Sequence, residues 1–124
     1  MDTFYENIEK ICEKDARYKY DSYEFVMQAL NYTQRKLARK GHVSGRELLE
    51  GIRQFGVEQY GALTKTVFEH WGVRTTDDFG RIVFNLVDNR VLSKTENDSM
   101  KDFSSVYKFE DVFKDDPLNF IERP

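Results

Sequence analysis

Apolar residues recur at three- and four-residue spacing through most of this chain, the period of helices with one buried face. Phe4, Ile8 and Ile11 predict a first helix from about Thr3 to Lys14. Beyond the connector DARYKY, Tyr23, Val26, Met27, Leu30 and Leu37 mark a second helix. Phe25, Ala29 and Tyr32 widen its stripe enough for contact on more than one side. Asp21 as N-cap, Glu24 three residues later and Tyr20 against Phe25 set its start, and Gly41 its end. A second capping box, Ser44 with Glu47, and Val43 packed on Leu48 open a third helix. It carries Leu48, Leu49, Ile52, Phe55 and Tyr60 and stops near Gly61. Gly51 and Gly56 inside it each cost about 1 kcal/mol against Ala, which close helix packing would justify. A fourth helix from about Ala62 turns Leu63, Val67, Phe68 and Trp71 inward, with Gly72 as its left-handed C-cap.

The stretch HWGVRTTDDFGRIVFNLVDNRVLSK, His70 to Lys94, then has the punctuation of a helix-turn-helix followed by a strand. Thr75 or Thr76 caps a fifth helix with the stripe Phe79, Ile82, Val83, Leu86 and Val87, and Asn89 is its left-handed terminator. Val91 to Lys94 reads as a strand, TENDSMKD as a turn, and Phe103 to Phe109 as the returning strand. A helical turn from about Glu110 to Phe113 precedes the tail. The predicted fold is mainly α (α+β), a single winged-helix-like domain over residues 1–124. It comprises an N-terminal helical pair over 1–41 and a winged-helix-like region over 42–113 with a C-terminal two-stranded β-hairpin. Phe109, Phe113 and, in the tail over 114–124, Leu118, Phe120 and Ile121 are expected to cover the domain, with reaching a partner as the alternative. Leu48, Ile52, Val67, Trp71, Ile82, Val83 and Leu86 are the expected core.

Composition agrees with one core built without metals or disulfides, since 124 residues suffice and 15% are aromatic. No apolar run approaches the roughly 20 residues that span a bilayer. The start, MDTFYENIEK, lacks the basic and apolar regions of a secretory signal. Cys12 is the single cysteine, expected as a small core residue in a reducing cytoplasm.

Three blocks, HVSGRELLEGIRQFG, HWGVRTTDDFGRIVFNLV and SKTENDSMKDF, carry a resemblance. Through them the chain resembles a family of short bacterial proteins for which no activity, ligand or catalytic residue is established. The resemblance implies a soluble bacterial protein of one domain and supplies no site residue. Its members have glycine where this chain has Arg90.

Candidate chemistry is sparse. His42 and His70 are the two histidines; His70 ends a helix, where an imidazolium suits the dipole. No HxxxH or CxxC spacing offers a metal site, and no Gly-rich loop follows a strand. Adjacent carboxylates, Asp77-Asp78 and Asp115-Asp116, point in different directions on a helix and do not form an acid/base pair. Catalysis, cofactor and metal are therefore not expected.

Nucleic acid is the partner that a winged helix first brings to mind. The fifth helix, however, opens on Asp77 and Asp78, and Arg81, Asn85 and Asp88 follow as its exposed positions. Phosphate would be repelled there, and the net charge of −3 points the same way. The contrary signal is QRKLARKGHVSGR, with Arg35, Lys36, Arg39, Lys40 and Arg46 and no acid. It can be read as a phosphate-contacting patch on RNA or DNA, or as cations complementing a helix C-terminus. The leading expectation is a non-enzymatic protein-interaction module. It would use the acidic helix face, the basic patch or both, with a protein partner or head-to-tail self-association. The runner-up is an RNA- or DNA-binding accessory protein using residues 35–46.

Overall fold

The computed structural model describes residues 3–93 and 99–113. The helices are α1 (Thr3–Lys14), α2 (Tyr20–Lys36), α3 (Gly45–Tyr60), α4 (Thr64–His70), α5 (Thr76–Asp88) and α6 (Phe109–Val112). Short 3₁₀ turns occupy Gly61–Leu63 and Met100–Phe103. α2 runs along α3 and also packs on α1 and α5.

Aromatic rings fill the centre. Phe25 of α2 lies within 5.2–6.4 Å of the rings of Phe55, Tyr60, Phe68, Trp71 and Phe79. Phe68 extends the cluster to Phe109 and Phe113. Such pairs add to simple area burial, which is why a chain this short can use so many rings. Of the expected core, Leu48, Ile52, Trp71, Ile82 and Leu86 are buried, whereas Val67 and Val83 are half-buried around them. Leu63 is 49% exposed, because residues 61–63 form a 3₁₀ turn before α4 starts and its phase differs from that of a continued helix. Gly51 serves close packing, as expected: a Cβ there would land on Thr33 Oγ1 of α2.

Helix starts divide into two kinds. The Ser44–Glu47 capping box forms: Glu47 N–H donates to Ser44 Oγ (3.1 Å) and Ser44 N–H to Glu47 Oε1 (2.8 Å). The expected Asp21–Glu24 box does not. α2 starts at Tyr20 with Lys19 as a cap that offers no side-chain bond. Its start is held instead by Lys19 N–H on Trp71 O (3.0 Å) and Ser22 Oγ–H on Lys19 O (2.7 Å).

Three helix ends, those of α2, α4 and α5, share one motif. After α4, Gly72 N–H returns to Glu69 O and Val73 N–H to Phe68 O, with Gly72 at φ 91°. α2 closes the same way through Ala38 N–H on Arg35 O and Arg39 N–H on Gln34 O, with Ala38 at φ 51°. α5 closes through Arg90 N–H on Val87 O and Val91 N–H on Leu86 O, with Arg90 at φ 61°. These are Schellman closures, in which glycine usually takes the left-handed residue. Gly72 does so after α4, but alanine and arginine take it after α2 and α5. The expected terminators Gly41 and Asn89 are therefore misplaced, by three residues and by one.

The expected β-hairpin is not formed: no strand occurs among the described residues. Lys94 lies outside them. The physical reason is that the backbone donors a hairpin needs are satisfied elsewhere. Val91 and Leu92 N–H both turn back onto Leu86 O (2.9 and 3.3 Å). On the other side, Ser105 N–H donates to Asp77 Oδ1 and Val106 N–H to Thr76 Oγ1 (both 3.1 Å), while Thr76 Oγ–H donates to Phe103 O (2.6 Å). Residues 103–106 thus dock on the first turn of α5. Gly80 and Gly45 let Phe103 approach, since a Cβ at Gly80 would sit 2.7 Å from Phe103 Cβ. The fold is all-helical in its described part, without the β-hairpin that a winged helix requires. The helical turn near Glu110 is present as α6. The tail residues Leu118, Phe120 and Ile121 lie outside the described residues.

Candidate functional site

The ten residues singled out as contact positions separate into two groups, one folded inward and one displayed. The inward group is the face of α5. Thr75 caps this helix in a box with Asp78: Asp78 N–H donates to Thr75 Oγ1 (3.3 Å), and Thr75 N–H returns to Asp78 Oδ2 (3.2 Å). Asp78 also accepts Arg74 N–H at 2.9 Å, Tyr18 O–H at 2.5 Å and the Arg81 guanidinium at 3.0 Å. Burial opposes its charge, but these donors outweigh burial and leave the carboxyl below its usual range. Burial and the Asp78 carboxylate together push the Tyr18 phenol up to about 12.

Asn85 is equally engaged. Its Nδ2 donates to Asp15 Oδ2 (3.0 Å) and to the hydroxyl of Tyr23 (3.1 Å), tying α5 to the connector between α1 and α2 and to α2 itself. The Arg17 guanidinium, bidentate on Asp15, holds that carboxyl far below the ordinary range against the opposing effect of burial, and Asn85 assists. Asp77 is half-buried with Ser105 N–H on it. Of this acidic face only Asp88 is exposed, and Arg81 is partly exposed while paired to Asp78. Asp77 and Asp78, two of the three acids expected to meet a partner, hold parts of the domain together.

The displayed group is the corner where α2 gives way to α3. Arg35, Lys36, Arg39, Lys40 and Arg46 are all exposed, as is Leu37 at 41%. They do not form one patch. Arg35, Arg39 and Lys40 line one open depression of about 650 Å³ together with Asn31, Gln34 and Ala38. Lys36 and Arg46 line a separate groove of about 320 Å³ between α2 and α3, beside Glu47 and Glu50. Lys36 also lies over the Tyr32 ring, 5.5 Å from its centroid.

Two contacts that the sequence did not signal organise the corner, one through Gln34 and one between Arg39 and the capping residue Glu47. Gln34 Nε2 donates to Lys40 O (3.2 Å) and Gly41 O (3.0 Å), so the loop after Ala38 is pinned to the helix it leaves. Glu47 Oε1 accepts Arg39 Nη1 at 2.7 Å while it also caps α3. Among the described residues no carboxylate pairs with Arg35, Lys36, Lys40 or Arg46. The Gln34 role had no local signal, because it depends on where the left-handed turn at Ala38 sends the chain.

Cys12 is half-buried, its Sγ–H directed to Tyr18 O at 3.9 Å, and burial raises its thiol above the ordinary value. That fits a packing role. Among the described residues, no cluster of three or more His, Cys, Asp or Glu is placed to hold a metal ion, and no helix is long and apolar enough to cross a membrane. Compared with known proteins, the chain matches no protein-family model, no curated protein and no solved structure.

Proposed function

We propose that the chain is a non-enzymatic protein-interaction module whose contact surface is the cationic corner between α2 and α3. Its partner presents an acidic surface. The observation that carries this reading is the convergence of Arg35, Arg39 and Lys40 on one open depression, with Glu47 the one described carboxylate paired there. Complementing the dipole of α2 accounts for Arg35 and Lys36, which lie in its last turn. It does not account for Arg39 and Lys40, which follow the helix and lie beyond its closing residue. The acidic face of α5 drops out as a contact surface, and head-to-tail self-association retains only Asp88 as a fully exposed acid there.

The same cations would suit phosphate, yet the net charge of −3 opposes a polyanion. Among the described residues the exposed large hydrophobics are Tyr5, Leu37, Val57 and Leu63. The one ring among these is on α1, and at the corner itself only the His42 imidazole is an exposed ring. The protein partner is therefore preferred to RNA or DNA. The cytoplasm is the compartment this proposal assigns, and the sequence resemblance adds a bacterial setting without an activity.

The test is a double reversal, Arg35→Glu with Lys40→Glu, which leaves the Arg39–Glu47 pair and the α3 cap intact. Pull-downs from the native cell should recover partners with the parent protein, in a salt-weakened manner, and lose them with the variant. Recovery of the same partners by both proteins would overturn the assignment. A salt-steep mobility shift of duplex DNA or mixed cellular RNA by the parent, lost in the variant, would transfer the corner to nucleic acid.

A further inference from the structure

Next to the cationic depression lies a cleft of about 230 Å³ of different character. Its walls are the half-buried Leu30, Val83, Phe84, Val87 and Leu92, over Leu48. Gln34 lines both the cleft and the depression, and its amide is held in place by Lys40 O and Gly41 O. A segment crossing Gln34 would therefore meet cations on one side and an apolar recess on the other. A dry cavity of about 150 Å³ holds a benzene ring, so this recess has room for one aromatic side chain or a pair of branched aliphatic ones. Pockets that recognise proteins commonly combine an apolar anchor with charged groups that set orientation.

We propose that the two depressions form one composite site for a partner segment in which acidic residues adjoin a bulky apolar residue. The carboxylates meet Arg35, Arg39 and Lys40, and the apolar side chain enters the recess between α2 and α5. This rests on the reading of the corner as an acid-binding surface and adds the identity of the second anchor. Charge complementarity fixes the polarity of the segment: its acids lie toward the α2–α3 loop and its apolar residue toward Val87 and Leu92.

The full chain is titrated at low salt with two random copolymers of equal charge density, glutamate with phenylalanine and glutamate with alanine. Burying one ring is expected to make the phenylalanine copolymer bind about tenfold more tightly. Val87→Gln should abolish most of that preference while leaving the alanine copolymer unchanged. Arg35→Glu with Lys40→Glu should weaken both. Leu92→Gln provides the same reading should Val87→Gln fail to fold. Equal affinity for the two copolymers would overturn this inference and leave the acid-binding corner standing, whereas binding of neither would overturn both. A phenylalanine preference that survives both cleft variants would overturn the recess as the anchor site. Two further results would overturn the partner assignment. One is a tenfold gain in affinity on Leu118→Ser with Phe120→Ser, meaning that the chain's own tail fills the recess. The other is a concentration-dependent dimer that Val87→Gln dissolves.

Discussion

The start of α5 and the end of α2 are both dense in charge, and both end in a closure whose left-handed residue is not glycine. They differ in what lies opposite. Asp78 faces Tyr18, Arg81 and the backbone of Arg74 and Thr75, and Asn85 faces Asp15 and Tyr23. Arg35 and Lys40 face a depression. Charge in the first turn of a helix lies beside unsatisfied N–H groups, which draw it into the fold. Charge that follows a helix end meets no such demand once the closure has satisfied the last carbonyls. Asp78 and Arg81 are tied into the fold, whereas Arg35 and Lys40 are exposed with no carboxylate paired to them among the described residues.

The strongest way to break this contrast is Asp78→Ala. It removes the side-chain half of the α5 capping box, leaving Arg74 and Thr75 N–H without their acceptor, and strands Tyr18 O–H, so a loss of about 2–4 kcal/mol in urea unfolding is expected. A loss under about 0.5 kcal/mol would return Asp78 to the surface. Thr76→Val tests the docking of residues 103–106 by removing a hydroxyl that both donates to Phe103 O and accepts from Val106 N–H. About 1–3 kcal/mol should be lost, because the docked backbone is left unsatisfied.

Acid separates the regions without mutation. Asp15 and Asp78 lie below their ordinary values in the folded chain, so the stability they confer is complete above the unfolded value of about 3.9. It is lost as pH falls toward their folded values. Urea midpoints measured from pH 6 down to pH 2.5 should fall below about pH 4.5, and Asp78→Asn should flatten that fall. An unchanged slope in the variant would show that Asp78 does not carry it.

At the corner, Ala38→Gly should raise stability by about 1 kcal/mol by relieving the left-handed alanine at φ 51°. No gain in thermal unfolding would mean that Ala38 is at ease in its turn. The smallest effect is expected from Arg35→Glu with Lys40→Glu, within about 0.5 kcal/mol of the parent, as for exposed groups without partners. A larger loss would place these cations inside the fold's own interactions and merge the two regions.

Much of the helical pattern was legible in local sequence. The Thr3–Lys14 helix, the Ser44–Glu47 box, the Gly72 closure and the burial of Phe68, Trp71 and Ile82 all follow from spacing and capping within a few residues. Even the α5 box was present as Thr75-x-x-Asp78, although Asp78 was expected to face a partner. The ten candidate contact residues were legible as charge, but not as inward or outward. What the chain by itself determined is the location of most helices and the identity of their apolar faces, since both depend on neighbours within two turns. The tertiary structure decided three other matters. Residues 91–92 and 103–106 are not strands, because Leu86 O, Thr76 and Asp77 hold the polar backbone groups that a hairpin would have paired. Asp78 and Asn85 of α5 are engaged by the fold, because Tyr18 O–H and Arg74 N–H converge on Asp78 while Asp15 and Tyr23 accept from Asn85. The cations form a corner, because Ala38 adopts a left-handed turn whose direction Gln34 then holds. In each case the deciding partner comes from another element or from a closure that no glycine announces, so periodicity along the chain carries no trace of it.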